Sequence, residues 1–159
     1  MANNSITHNR NYAPFVDDEF PAANGNILPG HELELDANTD VLRNSGESSP
    51  GRGMVADLSK SNPDLGRDDT YPSGERVSVV YVPVGGEVTL RLAAGGDLGT
   101  ASRADVDTTD VLESVGDGAV AAIDDGSDVE GALYQPLEDV DNSGAAAGEQ
   151  TTIEAVRGA

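Results

Sequence analysis

Large apolar side chains are scarce in this sequence. The chain has 159 residues, and 16 Val, 12 Leu, 4 Ile and 2 Phe together make about 21% of them. This fraction lies close to the level below which a chain buries too little apolar surface to fold alone. The sequence therefore predicts one compact domain with a small core, and it contains no apolar run long enough to cross a membrane as a helix.

Acidic residues dominate the charge. The sequence has 29 Asp and Glu against nine Lys and Arg, which gives a formal net charge of −20. A phosphate backbone or an anionic lipid surface would add to this repulsion, so we expect neither a nucleic acid nor a membrane as partner. The acids are rich in Asp and the bases are Arg with a single lysine, Lys60, a balance that looks like that of proteins from extreme halophiles. In molar salt the Debye length falls to about 3 Å, so the repulsion between surface carboxylates is largely screened. The composition therefore indicates a high-salt environment.

Two further features limit where the chain works and what chemistry it performs. Residues 1–5 have neither the basic start nor the apolar run of a signal peptide, so we expect synthesis in the cytoplasm. Cysteine is absent, which excludes disulfides and thiolate chemistry. His8 and His31 lack the spacing of a helical zinc motif, so we expect exposed or interface histidines and no enzyme.

The sequence changes character near residue 71. Residues 1–70 hold both histidines, both phenylalanines and the run at 44–53, which is rich in residues that bend or break regular structure. Pro14, Pro21 and Pro29 separate short apolar islands and exclude a long helix. We therefore predict a long extended N-terminal arm and linker over residues 1–70, followed by a β-rich domain over residues 71–159.

The arm carries candidate anchors for a partner surface: Tyr12, Phe15, Phe20, Ile27 and Leu28. Burying an aromatic ring contributes up to about 3 kcal/mol, so these residues could hold the arm on a partner despite the entropy lost on ordering. The alternative is that they fold back over the β domain. The sequence leaves both interpretations open.

The second half of the sequence has the pattern of β-strands. Residues 76–84 read R-V-S-V-V-Y-V-P-V, and residues 87–92 alternate polar and apolar side chains. Gly85-Gly86 between them suits a primed hairpin turn, so we predict a hairpin here. Further strands are predicted at 119–123, 129–134 and 151–156. Short strands joined by Gly and Asp turns favour a small β-barrel or β-sandwich.

Acidic clusters raise the question of a bound cation. Residues 139–144, D-V-D-N-S-G, reproduce the opening of an EF-hand loop, but position 12 of that loop is Gln150 where a bidentate glutamate belongs. A looser cation site there, or at Asp105, Asp107 and Asp110, stays an alternative. Because so acidic a chain produces such clusters by frequency alone, we assign no cofactor and no metal ligand.

The C-terminal half resembles a family of viral proteins. Residues 124–133 read D-D-G-S-D-V-E-G-A-L, and residues 137–153 read L-E-D-V-D-N-S-G-A-A-A-G-E-Q-T-T-I. Together they resemble the closing module of small capsid decoration (cement) proteins of tailed viruses, in which an acidic Asn/Gly/Ala-rich loop precedes a final Thr/Ile/Val strand. Residues 95–99 and 116–122 are similar to earlier pieces of that family, so the resemblance covers roughly residues 85–157.

The resemblance implies a β-rich structural virion protein without catalytic activity. Such proteins sit on the outer capsid surface and clamp neighbouring major capsid subunits, commonly as homo-oligomeric trimers. Combined with the charge, this points to a virus of a halophilic archaeon. The resemblance offers no counterpart for residues 1–70. Two alternatives remain: another virion surface component, such as a turret, spike base or tail module involved in host attachment, and a small hydrolase that uses acids and a cation.

Overall fold

The computed structural model describes residues 7–8, 16–43, 53–59, 62–123 and 134–158. Strands dominate these residues, and their helical element is a 3₁₀ turn at Gly95–Asp97. The strands are β1 Thr7–His8, β2 Val16–Pro21, β3 Leu33–Leu35, β4 Val41–Arg43, β5 Met54–Ala56, β6 Arg76–Tyr81, β7 Glu87–Leu92, β8 Ser102–Arg103, β9 Asp105–Val106, β10 Leu112–Gly116, β11 Ala119–Ile123, β12 Tyr134–Pro136, β13 Val140–Asp141 and β14 Thr151–Arg157. The predicted mostly β fold is confirmed.

The larger sheet has the strand order β1-β7-β14-β12-β10-β11-β8. β7 and β14 run antiparallel, with Leu92 opposite Thr151 and Glu87 opposite Val156. β7 also pairs in parallel with β11, where Leu92 lies opposite Val120, so the series of pairings returns to β7. The predicted strands at 119–123 and 151–156 are confirmed as β11 and β14, whereas the one at 129–134 lies mostly outside the described residues.

The first core lies on the inner face of this sheet. Every second residue of β7 points into it, as expected for a strand whose side chains alternate between two faces. Its buried members are Val55, Val80, Val82, Val88, Leu90, Leu92, Val106, Leu112, Val120, Ala122, Tyr134, Ile153 and Ala155.

A second sheet, with strand order β2-β6-β5, separates this core from another. The buried members of the second core are Ala22, Ile27, Leu33, Val41, Met54, Ala56, Tyr71, Val77 and Val79. In β6, Val80 faces the first core, whereas Val77 and Val79 face the second. The apolar character of both faces of this strand therefore follows from its place between two cores.

The predicted hairpin is wrong, although both of its strands exist. β6 pairs with β2 and β5, whereas β7 pairs with β1, β14 and β11, so the two strands lie in different sheets. Pro83 has no N–H to donate to a ladder. The Gly86 N–H donates to the Pro83 carbonyl at 2.8 Å, and the Gly85 N–H donates to the Arg157 carbonyl at 2.8 Å. The glycines therefore carry the chain from one sheet to the other.

The described part of the predicted arm belongs to the folded body, which corrects the boundary placed near residue 71. Residues 16–43 and 53–59 supply β2 to β5, and Ile27, Leu33 and Val41 are buried in the second core. Strands β3, β4 and β5 have three residues each, too few to display the alternation that identifies a strand. In sequence, such short strands between prolines and asparagines are therefore indistinguishable from an extended linker.

Arg91 attaches another piece of this region to β7. Its side chain is buried, and its Nε donates to the Pro29 carbonyl at 2.9 Å. Both terminal nitrogens lie 3.1 Å from Asp68 Oδ1, and Nη2 also donates to the Arg67 carbonyl. One guanidinium therefore joins three segments that are distant in sequence.

Two glycines provide a matched test of this packing. A Cβ at Gly118 (φ +72°), in the turn between β10 and β11, would lie 2.8 Å from His31 Cβ and Cγ, whereas a Cβ at Gly74 (φ +79°) would meet nothing within 4 Å. Both alanine variants carry the cost of a positive φ, about 1 to 2 kcal/mol, and G118A adds overpacking. We expect G118A to lower the free energy of unfolding by about 2 kcal/mol more than G74A in denaturant titrations. Equal losses would contradict the contact between His31 and this turn.

Candidate functional site

The five candidate anchors fall into different environments. Tyr12 and Phe15 lie outside the described residues. Phe20, in β2, is half-buried and packs against the second core, and Ile27 is 0% exposed within that core. Leu28 is half-buried at the start of the next turn. The structure therefore places Ile27, and part of Phe20, against the chain itself.

Residues 28–32, which we call the seam segment, lie between β5, β7 and the turn after β10. The Arg91 N–H donates to the Gly30 carbonyl at 3.1 Å, and the Glu32 N–H donates to the Gly118 carbonyl at 2.8 Å. On the other side, the Ala56 N–H donates to the His31 carbonyl at 2.9 Å. The segment thus fills the gap between β7 and β11, which pair with each other only at their Leu92 and Val120 ends.

His31 is 1% exposed, which corrects the expectation of an exposed or interface histidine. The Leu28 N–H donates to Nδ1 at 3.0 Å, so Nε2 carries the proton of the neutral ring and donates to Gln150 Oε1 at 2.7 Å. Burial lowers the pKa of His31 to about 4, although the bond to Gln150 favours the charged form. The ring is therefore neutral near pH 7 and ties the seam segment to the chain just before β14.

Glu32 points away from His31, into the first core. The Tyr134 hydroxyl donates to its Oε1 at 2.9 Å. Within the described structure, Glu32 Oε2 and the Ser114 hydroxyl are buried without a hydrogen-bond partner. Burial raises the pKa of Glu32, and the bond from Tyr134, the nearby Ser114 hydroxyl and the Arg157 guanidinium oppose this shift. Glu32 is 1% exposed, and its hydrogen bond with Tyr134 joins the seam segment to β12.

The acids of the two possible cation sites are engaged in turns. Asp141 Oδ1 accepts from the Ser143 N–H at 2.9 Å, and the hydrogen bonds from Ser143 lower the pKa of Asp141. Asp110 pairs with Arg103 at 2.6 Å and accepts from the Asp107 N–H at 2.9 Å. Among the residues that the structure describes, no three Asp, Glu or His side chains converge in a way that could hold a metal ion.

Two loops interlock at one end of the larger sheet. We call residues 93–98 and 141–149 the loop pair. The Gly95 N–H donates to the Asn142 carbonyl at 3.0 Å, and the Gly148 N–H donates to Asp97 Oδ2 at 2.8 Å. A Cβ at Gly95 would lie 2.0 Å from the Ser143 carbonyl oxygen, so only glycine allows this approach. The loop pair brings together the glycine-rich piece at 95–99 and the acidic loop that carry the resemblance stated above.

Among the residues whose burial is described, almost all of the acidic side chains lie at the surface. Glu32 is the buried acid among the residues whose burial is described, and Arg91 is their buried base. The exposed large apolar side chains in the same set are Val84, Val111 and Leu137. The solvent-exposed surface of these residues therefore consists mainly of carboxylates and carries few large apolar side chains.

Compared with protein-family models and with curated proteins, the sequence matches none of them. In the described part of the chain, no helix is long and apolar enough to cross a membrane. An inference about function therefore rests on the sequence resemblance and on the geometry of the described residues. Sequence reasoning missed the buried pair His31-Glu32, because two polar residues after Pro29-Gly30 carry no signal of burial.

Replacing Glu32 by Gln tests the buried carboxyl. Because its pKa is raised above 4.5 in the folded state, the unfolded chain releases this proton first as the pH rises. Stability is therefore lost from about pH 4.5 up to the folded-state pKa. E32Q cannot ionise, so the difference in unfolding free energy between E32Q and the wild type should shift in favour of E32Q as the pH rises from about 4 to about 8.

Two variants control this experiment. Y134F removes the hydrogen bond that opposes the shift and should make the loss of stability at high pH larger. E138Q replaces an exposed carboxylate in the same way and should change the unfolding free energy at neutral pH by less than about 0.5 kcal/mol. A constant difference between E32Q and wild type across this pH range would contradict the assignment.

The surface charge predicts a strong dependence on salt. Raising NaCl from about 0.1 M to 1 M shortens the Debye length from about 10 Å to 3 Å and screens repulsion among the surface carboxylates. We expect the midpoint of thermal unfolding to rise with NaCl, and to rise less in sucrose of equal osmolality. A midpoint that is flat or falls with NaCl would show that this repulsion does not limit stability.

Proposed function

We propose that this chain is a structural virion protein that binds the outside of a capsid and bridges and stabilises major capsid subunits. The observation that carries the proposal is the loop pair. Two pieces that resemble capsid decoration proteins, at 95–99 and 137–153, are separated in sequence but interlock through backbone hydrogen bonds. The final strand of the resemblance corresponds to β14, which lies at the centre of the larger sheet.

A finer description of the fold supports the same proposal. We take the circuit of pairings through β7, β14, β12, β10 and β11 as a small barrel whose gap is filled by the seam segment. Such a body presents loops at its ends while its strands stay fixed. A rigid body of this kind suits a role in which binding, without chemistry, is the function.

The proposed mechanism is thermodynamic. A protein that binds the assembled, expanded shell and not its free subunits stabilises the shell by mass action, by RT ln(1 + [L]/Kd) per site. Tyr12, Phe15 and Leu28 are the anchors that we propose to contact capsid subunits, whereas Ile27 is committed to the chain's own core. The likeness to decoration proteins favours a homo-oligomer, with a trimer as the first candidate.

The acidic surface supports a location in salty water. Carboxylates that face the solvent remain strongly hydrated when molar salt has screened their repulsion. We propose that the chain is made in the cytoplasm of a halophilic archaeal host and ends on the outer surface of a virus particle. In this proposal it has no catalytic role and binds neither nucleic acid nor membrane.

The test is reconstitution on empty capsids assembled from the major capsid protein encoded alongside this chain. In molar NaCl we expect saturable binding at hundreds of copies per particle, together with a higher temperature of capsid disruption. Absence of binding, or capsids that resist heat and dilution of salt equally well without the protein, would overturn the proposal. A few copies at vertices or at the tail would instead favour a turret, spike base or tail module.

Variants of the anchors separate attachment from fold. The double variant Y12A/F15A should reduce occupancy of the capsid, because each lost ring removes up to about 3 kcal/mol of burial. V84A removes a side chain that is 65% exposed and outside the predicted set, so it should bind as the wild type does. If V84A weakens binding and Y12A/F15A does not, the attachment lies elsewhere on the folded body.

A further inference from the structure

A polar groove lies on the face of the β3–β4 hairpin. Its volume is about 480 Å³, a size typical of small-molecule sites. Glu34 and Leu42, opposite each other in the hairpin, line it together with the turn at 24–26 and the turn between β10 and β11. The lining residues are Asn24, Asn26, Glu34, Leu42, Arg43, Gly116 and Asp117.

Arg43 joins the two turns that flank the groove. Its Nη2 lies 2.9 Å from Asp117 Oδ1. With the Asn26 amide turned so that its oxygen faces the guanidinium, that oxygen accepts from Nη2 at 3.2 Å and from Nε at 3.3 Å. The side chain of Arg43 is 27% exposed, so it is both fixed and able to reach a ligand. Its charge is already balanced by Asp117.

The lining combines planar donors with planar acceptors. The Asn24 and Asn26 amides and the Arg43 guanidinium donate, and the Glu34 and Asp117 carboxylates accept. An anionic ligand would meet two carboxylates on a chain of net charge −20. A metal cation would meet a fixed guanidinium, and the described residues hold no cluster of three metal-binding side chains here. A neutral ligand with many hydroxyls matches this mixture, because each hydroxyl both donates and accepts.

We propose that this groove binds a neutral saccharide, with Asn24, Glu34 and Arg43 as the groups that contact its hydroxyls. Leu42 provides the apolar surface for the C–H face of the sugar ring. This site goes beyond the proposed function, since stabilising a capsid needs no sugar. It is tested on the isolated protein, so its failure and the failure of capsid binding are separate results.

The experiment is a titration of the ¹⁵N-labelled full chain in molar NaCl, followed by amide chemical shifts. The probes are methyl α-glucoside, N-acetylglucosamine and maltotriose, with glucuronate and inorganic phosphate as anionic probes. We expect at least one neutral probe to produce saturable shifts centred on residues 24–26, 42–43 and 116–117. Tighter binding of maltotriose than of the glucoside assigns the site to a glycan chain, and equal binding assigns it to a free sugar.

Variants make the assignment specific. N24A and E34A each remove one hydrogen-bonding group and should weaken binding about fivefold. N38A replaces an exposed asparagine in the same hairpin, outside the groove, and should bind as the wild type does. The proposal is overturned by an absence of saturable shifts with the three neutral probes, by binding of the anionic probes alone, or by equal effects of N24A and N38A.

Discussion

The fold depends on the seam segment, whose residues 29–32 are buried between parts of the chain that are distant in sequence. Hydrogen bonds connect it to β5, to β7 and to the turn between β10 and β11. Its two central side chains face opposite ways and are both buried, His31 toward Gln150 and Glu32 toward Tyr134. Without this segment, β7 and β11 would meet only at the ends of the two strands, and the inner face of the larger sheet would open to water.

The same arrangement shows how a chain with few large apolar residues folds at all. Most of the buried apolar side chains that the structure describes are divided between two small cores, and β6 contributes one face to each of them. Polar groups also hold distant segments together, where a larger protein would rely on its core. The Arg91 guanidinium, for example, donates hydrogen bonds to the Pro29 and Arg67 carbonyls and to Asp68. Where burial is described, the acidic residues lie outside the cores except for Glu32, which accepts a hydrogen bond from Tyr134.

The sequence allowed the positions of the main strands to be predicted, but not their neighbours. Alternation over 151–156 has a direct physical cause, since one face of β14 is buried. β7 also alternates in sequence, although its polar residues Thr89 and Arg91 are buried as well. Alternation contains no information about pairing, however, and Gly85-Gly86 fits a turn between sheets as well as a hairpin. The three-residue strands β3 to β5 are too short for any period to appear.

The candidate site was harder to predict for a related reason. Glu32 and Glu34 are two residues apart in an extended segment, so simple alternation would place both on the same exposed face. The Glu32 side chain is instead buried against Tyr134, whereas Glu34 lines the groove. Arg43 and Asp117 meet only because that turn reaches the β3–β4 hairpin. Such meetings depend on the tertiary fold and not on local sequence.

The central place of β14 has a consequence for how the protein is made. This strand pairs with β7 along its length and with β12 on its other side, although it is the last of the described strands to leave the ribosome. Until Thr151–Arg157 has been synthesised, β7 and β12 both present unpaired backbone groups, the kind of edge on which nascent chains associate. The larger sheet therefore forms only once β14 has been synthesised, and a truncated product lacking this strand is expected to aggregate.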